Sequence, residues 1–135
     1  MLGYFLLVAH MFGDYCLQSH SMAQNKRTSW RWAFLHALFY GAPFALLFGA
    51  FGLLGTVIGW LALVILIVTH AIIDRLSLAR RWCEWYGVGF PGLWVKADGF
   101  EAPPPFLGVW LVILVDNAAH LAINGACAAV AQAAL

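Results

Sequence analysis

Four apolar runs dominate the chain, over about residues 2–17, 32–51, 53–76 and 106–131, separated by two polar stretches and one glycine-rich turn. Each run approaches the ~20 residues that an α-helix needs to cross a bilayer core of ~30 Å. None alternates apolar and polar positions as a membrane β-strand does. The pattern predicts an all-α fold, an integral membrane four-helix transmembrane bundle, with one domain over 1–135. Its helices are expected over about 2–20, 32–51, 53–80 and 106–131, and the turn "GAFGLLGTVIG" joins the second to the third without a charge. The first run has no basic flank and no small-residue cleavage site, and it holds His10 and Asp14, so it reads as a retained helix rather than a signal peptide.

Composition agrees with the pattern. Of 135 residues, 64% are hydrophobic and only 10% charged, with a mean hydropathy of +0.84. A water-soluble fold of this length has no interior large enough for that apolar content. The net charge of +1 gives no reason to expect a nucleic-acid partner. Cys16, Cys83 and Cys127 form no metal or disulfide pattern, and two of them lie in apolar runs as small hydrophobes.

The distribution of charge sets an orientation. Lys26, Arg27 and Arg31 lie between the first two runs, and Arg75, Arg80, Arg81 and Lys96 lie between the last two. All seven basic residues thus fall on one side, which the positive-inside rule makes cytoplasmic. The expected location is an inner (cytoplasmic) membrane, multi-pass, with both termini outside and the first and third loops cytoplasmic. Trp82, Trp85, Tyr86 and Trp94 suit an interfacial belt in a cytoplasmic loop over about 81–105.

Against this apolar background the polar residues form a pattern. Four of the five histidines, His10, His36, His70 and His120, fall within the runs, as do Asp14, Asp74 and Asp116. The strings "HMFGD", "HAIID" and "DNAAH" each space His and Asp by four. On a helix that is ~40° of rotation and ~6 Å of rise, so each pair shares a face. The helices alternate in direction, which puts every Asp about one turn nearer the cytoplasm than its His. Two layers are expected, with His10, His70 and His120 in one and Asp14, Asp74 and Asp116 in the other. His36 is placed to reach the Asp layer, and Gln18 stands four residues beyond Asp14 at the cytoplasmic rim.

Ionisable groups in a bilayer face the bundle interior and have partners. Imidazole and carboxylate together are ligands for Zn, Mn or Fe. The expected ligands of one or two divalent transition-metal ions are His10, Asp14, His36, His70, Asp74, Asp116 and His120. Asp14, His36 and Gln18 are the candidate catalytic residues. The competing explanations are intrahelical His–Asp hydrogen bonds, a metal-free proton or ion relay, and a structural polar core. A bis-His haem would leave the recurring Asp without a role. His20, in "QSHSMAQNK", is expected to be solvated, and Pro43 to kink the second helix.

The set "LLVAHMFGDYCLQSHSMAQNK", "FLHALFY", "THAIIDRL" and "VDNAAHL" resembles a family of small uncharacterised four-helix membrane proteins of bacteria and bacteriophages. The resemblance maps onto His10, Gly13, Asp14, Gln18, Gln24, Asn25, Lys26, His36, His70, Asp74, Asp116 and His120, and implies a site without naming its chemistry. A looser likeness to membrane-bound metal-dependent hydrolases rests on His and Asp in transmembrane helices.

Three functions are expected. One is an intramembrane metal-dependent hydrolase acting on a lipid or lipid-linked substrate at the inner leaflet, with Lys26, Arg27 and Arg31 near a phosphate headgroup. The second is a metal-ion or proton transporter or relay, for which a homo-oligomer would have to complete the pathway. The third is a non-enzymatic phage or bacterial membrane factor with a structural metal site. Membrane lipids are the expected partners in each case.

Overall fold

A computed structural model describes residues 2–86 and 105–135. The described residues are helix and turn, without strand. The chain divides into two compact units, Met1–Leu76 with His120–Leu135, and Ser77–Ala119.

In the first unit, α1 (Leu2–Met11) runs directly into a π-helical turn, Phe12–Cys16. The single helix expected over 2–20 is therefore interrupted. A shorter helix, α2 (His20–Asn25), restarts where Ser19 accepts a hydrogen bond from Met22 N–H at 3.3 Å. Polar Gln18 and Ser19 supply the break, because serine competes for backbone hydrogen bonds and favours caps. His20 is exposed, as its setting predicts.

The next two helices are long. α3 (Trp30–Ala50) begins after Ser29, which has the extended backbone of a cap but makes no capping bond. Pro43 lies inside α3, which continues past it. Gly52 then takes φ +72°, in the left-handed region that suits glycine, and a 3-10 turn over Leu53–Gly55 leads to α4 (Val57–Leu76). Helix α3 buries Tyr40, Phe44 and Phe48 at four-residue spacing. They pack with Leu6 and Ala9 of α1 and with Ala62, Leu63 and Leu66 of α4. Cys127, Ala128 and Ala131, near the C-terminus, complete the same core. Small residues at these contacts let backbones approach, and in lipid that close packing, rather than exclusion of water, holds helices together.

The second unit begins at Ser77, whose φ of 50° ends the expected 53–80 helix. A new helix, α5 (Leu78–Tyr86), takes in residues 81–86, which the sequence placed in a loop. Its physical signal is helical: Ala79 and Cys83 are buried four residues apart, and Arg80 Nε donates to Glu84 Oε1 at 2.9 Å, also four apart. The rest of the expected interfacial loop, 87–104, lies outside the described residues. Helix α6 (Pro105–Gln132) begins in this unit and ends in the first.

Among the described residues, three helices are long and apolar enough to cross a membrane: Trp30–Ala50, Val57–Leu76 and Gly108–Gln132. Their outward faces carry exposed Leu38, Leu46, Trp60, Leu61, Val64 and Ile65. Membrane association is the consequence of both facts.

Candidate metal centre

The site is built on one face of α3, where His36 and Tyr40 stand one turn apart and fully buried. Helices α1 and α4 run antiparallel to α3, and the register pairs them in rungs. At the Tyr40 level, His10 Nδ1 lies 3.0 Å from the Tyr40 hydroxyl, and the His70 ring stacks on the Tyr40 ring. At the His36 level, Asp14 Oδ1 lies 3.1 Å and Asp74 Oδ2 3.2 Å from His36 Nε2. His10 and His70 thus stand on one level, and Asp14 and Asp74 on the other with His36.

Gly13 makes the α1 side of this register attainable. A Cβ at that position would lie 2.7 Å from the Tyr40 carbonyl oxygen. The π turn then carries Asp14 to His36. Single π turns recur at functional sites, because the extra residue re-aims the side chains beyond it.

Four ligand atoms converge: Asp14 Oδ1, His36 Nε2, His70 Nε2 and Asp74 Oδ2, all within 4.8 Å of one another and all buried. His36 Nε2 lies 3.1 Å from His70 Nε2. Asp74 Oδ2 is 3.3 Å and Asp14 Oδ1 4.0 Å from His70 Nε2. A tetrahedral ion with ligand bonds of ~2.0–2.1 Å needs ligand atoms about 3.3 Å apart. Of the six separations among these atoms, four fall at 3.1–3.3 Å, a spacing that suits such an ion.

A second observation points the same way. Asp74 Oδ2 is buried between two imidazole nitrogens of the quartet, at 3.2 and 3.3 Å, and the Lys26 ammonium, at 2.8 Å. Nitrogen and carboxylate donors in this mixture suit zinc, manganese or iron.

The remaining expected residues lie around this quartet or apart from it. His120 is buried beyond His70, the two Nδ1 atoms 3.2 Å apart, with His120 Nε2 3.9 Å from Asp74 Oδ1. His10 stands apart from the quartet, at Tyr40. Gln18 is half-buried between the π turn and α2, and its Oε1 has no hydrogen-bond partner among the described residues. Asp116 is half-buried on α6 in the Ser77–Ala119 unit, one turn before His120.

Two residues outside the expected ligand set complete the site. Lys26 comes directly after α2 and reaches inward, its Nζ 2.8 Å from Asp74 Oδ2, 3.7 Å from Asp14 Oδ1 and 3.2 Å from His36 Nε2. The sequence placed it near a headgroup and gave no sign that it faces the carboxylates, since a lysine after "MAQN" reads equally well as a surface anchor. Tyr40 did carry a signal, its spacing of four from His36. Its hydroxyl accepts a hydrogen bond from Asn124 Nδ2 at 2.7 Å, a cross-helix bond of the kind Asn makes in membrane bundles.

No curated protein and no solved structure matches the chain. One family model does, over residues 2–96, a stretch that takes in Asp14, Lys26, His36, His70 and Asp74 and ends before Asp116 and His120. The chain belongs to the family of that model, DUF3307, a family of proteins of unknown function.

Proposed function

We propose that the protein is an intramembrane metal-dependent hydrolase acting on a lipid or lipid-linked substrate. The observation that carries this reading is the quartet Asp14, His36, His70 and Asp74, drawn from the π turn, α3 and α4 to tetrahedral spacing. A divalent ion held there would polarise a substrate oxygen and acidify a water. Asp14 stands farthest from His70, at 4.0 Å. It is therefore the member best placed to take up a proton as general base while the other three keep their positions. His36 sits at the centre of the contacts and holds both carboxylates.

The proposed setting is a four-helix bundle in the inner membrane, with α1 and its π turn as the fourth, shorter element. The basic side, with Lys26, faces the cytoplasm. That orientation opens the site to the inner leaflet.

Elemental analysis of detergent-purified wild type beside Asp74→Ala tests the proposal. About one equivalent of transition metal is expected in the wild type, and none in a variant that still elutes as a folded species. Hydrolysis of candidate lipids is then assayed with and without chelator. Wild type purified without chelator and carrying no metal would overturn the reading.

One observation favours a second reading, a metal-free proton relay. His36, His70 and His120 form a chain of nitrogen contacts of 3.1 and 3.2 Å. Buried histidines so linked are the usual parts of a proton path. Proton flux into protein-loaded vesicles, insensitive to chelator, would establish it.

A further inference from the structure

We infer that Lys26 and the metal centre together form a binding site for a phosphate group, and that the substrate is therefore a phosphate ester rather than a neutral acyl ester. The inference rests on the metal reading and adds the substrate's charge to it.

Charge must balance in a buried site. Asp14, Asp74 and Lys26 are within ion-pair distance, and their side chains are 6%, 5% and 11% exposed. A dication among the four ligand atoms would bring two further positive charges beside the Lys26 ammonium. An uncompensated charge is costly in so low a dielectric. Lys26 lies against three of the four ligand groups, so its ammonium and the ion would be close neighbours and repel each other. An anion bridging the two removes both penalties.

The chemistry of the bridge is set by what surrounds it. Lysine is a point charge with three donors, a common phosphate partner in enzymes. A phosphate ester carries negative charge and has oxygens enough to meet both cations. A carboxylic ester carries no charge and would leave the ion and the ammonium repelling each other. The ammonium lies 2.8 Å from Asp74 Oδ2 and 3.2 Å from His36 Nε2, beside the groups that an incoming phosphate would approach.

The test measures Mn²⁺ affinity of the purified protein by electron paramagnetic resonance, in neutral detergent, with corrections for Mn²⁺ bound by the buffer. Affinity is read without added anion, with inorganic phosphate, and with phosphatidic acid in the micelle. Coupling between two sites of this kind is typically about 5- to 150-fold. Wild type is expected to bind Mn²⁺ at least about 5-fold tighter with a phosphate source present. Lys26→Arg should keep that gain and Lys26→Met should lose it. Without added anion, Lys26→Met should bind Mn²⁺ more tightly than wild type, because one repelling cation is gone. Tightening by phosphatidic acid alone identifies a lipid headgroup, and tightening by inorganic phosphate alone a free phosphate. Mn²⁺ binding that neither source alters, or that both alter equally in Lys26→Met, overturns the inference and leaves the metal centre standing. The wild-type arms decide the matter even where Lys26→Met does not fold. Absence of Mn²⁺ binding under every condition removes the metal reading itself.

Discussion

Tyr40 lies flat against the imidazole of His70, ring centroids 3.6 Å apart and planes 10° from parallel. Its hydroxyl accepts from Asn124 Nδ2 and lies 3.0 Å from His10 Nδ1, a hydrogen-bond distance. One side chain thus touches a candidate ligand from α4, a histidine from α1 and an asparagine from α6. It does so with two different parts, the ring and the oxygen.

Tyr40→Phe separates those parts. The ring and its stack on His70 remain, while buried His10 and Asn124 lose their common partner. Removing one partner of a buried hydrogen bond costs about 1–3 kcal/mol. The variant is expected to melt at a lower temperature in detergent yet to bind metal with wild-type stoichiometry. Loss of metal at unchanged stability would instead make the hydroxyl part of the centre.

Gly13→Ala tests the approach of α1 to α3. The added Cβ would meet the Tyr40 carbonyl oxygen at 2.7 Å and its Cα at 3.1 Å. Both are backbone atoms, which cannot swing aside. The π turn must move, and Asp14 with it. Overpacking of this kind typically costs about 1–3 kcal/mol, and metal affinity should fall alongside stability. Gly125→Ala, where nothing lies within 4 Å, is the control. It should be neutral or stabilising by up to about 1 kcal/mol, as expected for a helical glycine replaced by alanine. Equal behaviour of the two variants would show that the close approach at Gly13 does not hold the site.

Much of this arrangement was legible in the sequence, and the part that was not has a physical cause. The His–Asp spacing of four, combined with alternating helix direction, is enough to place carboxylates on one level and histidines on the other. That is where Asp14 and Asp74 meet His36, and where His70 and His10 meet Tyr40. Periodicity does not report interruptions. Residues 12–16 lie in an apolar run and Ser77 in the expected 53–80 helix, both of which read as unbroken, yet one forms a π turn and the other takes a positive φ. Long-range returns are equally silent. Lys26 belongs to a polar segment, and only the fold turns it back onto two carboxylates.

Cys83 gives a pH-dependent check on α5, away from the centre. Its side chain is buried, and burial pushes the thiol above its ordinary range, with the neighbouring Glu84 carboxylate adding to the rise. The thiolate is the reactive form, so a raised value means less of it at neutral pH. Modification by a water-soluble maleimide at pH 7 should be slow in the native protein and fast after denaturation, and it should accelerate as pH rises. A native rate at Cys83 equal to the denatured one would mean that this face of α5 is not buried.

Lys26→Met should separate the metal-free protein from the loaded one. Without metal, Lys26 is the cation that compensates Asp14 and Asp74, at 3.7 and 2.8 Å. Removing it leaves two buried carboxylates together, and breaking a buried pair from one side costs about 3–5 kcal/mol. With metal bound, the ion supplies that compensation, and the cost should shrink to about 1 kcal/mol or less, the scale of a dispensable ion pair. Thermal unfolding of both proteins, each with bound metal and after chelation, measures the four corners of the cycle. A large loss in the chelated variant that metal largely restores is the expected pattern. An equal loss with and without metal would mean that Lys26 and the ion do not act on the same carboxylates, and would detach the lysine from the centre.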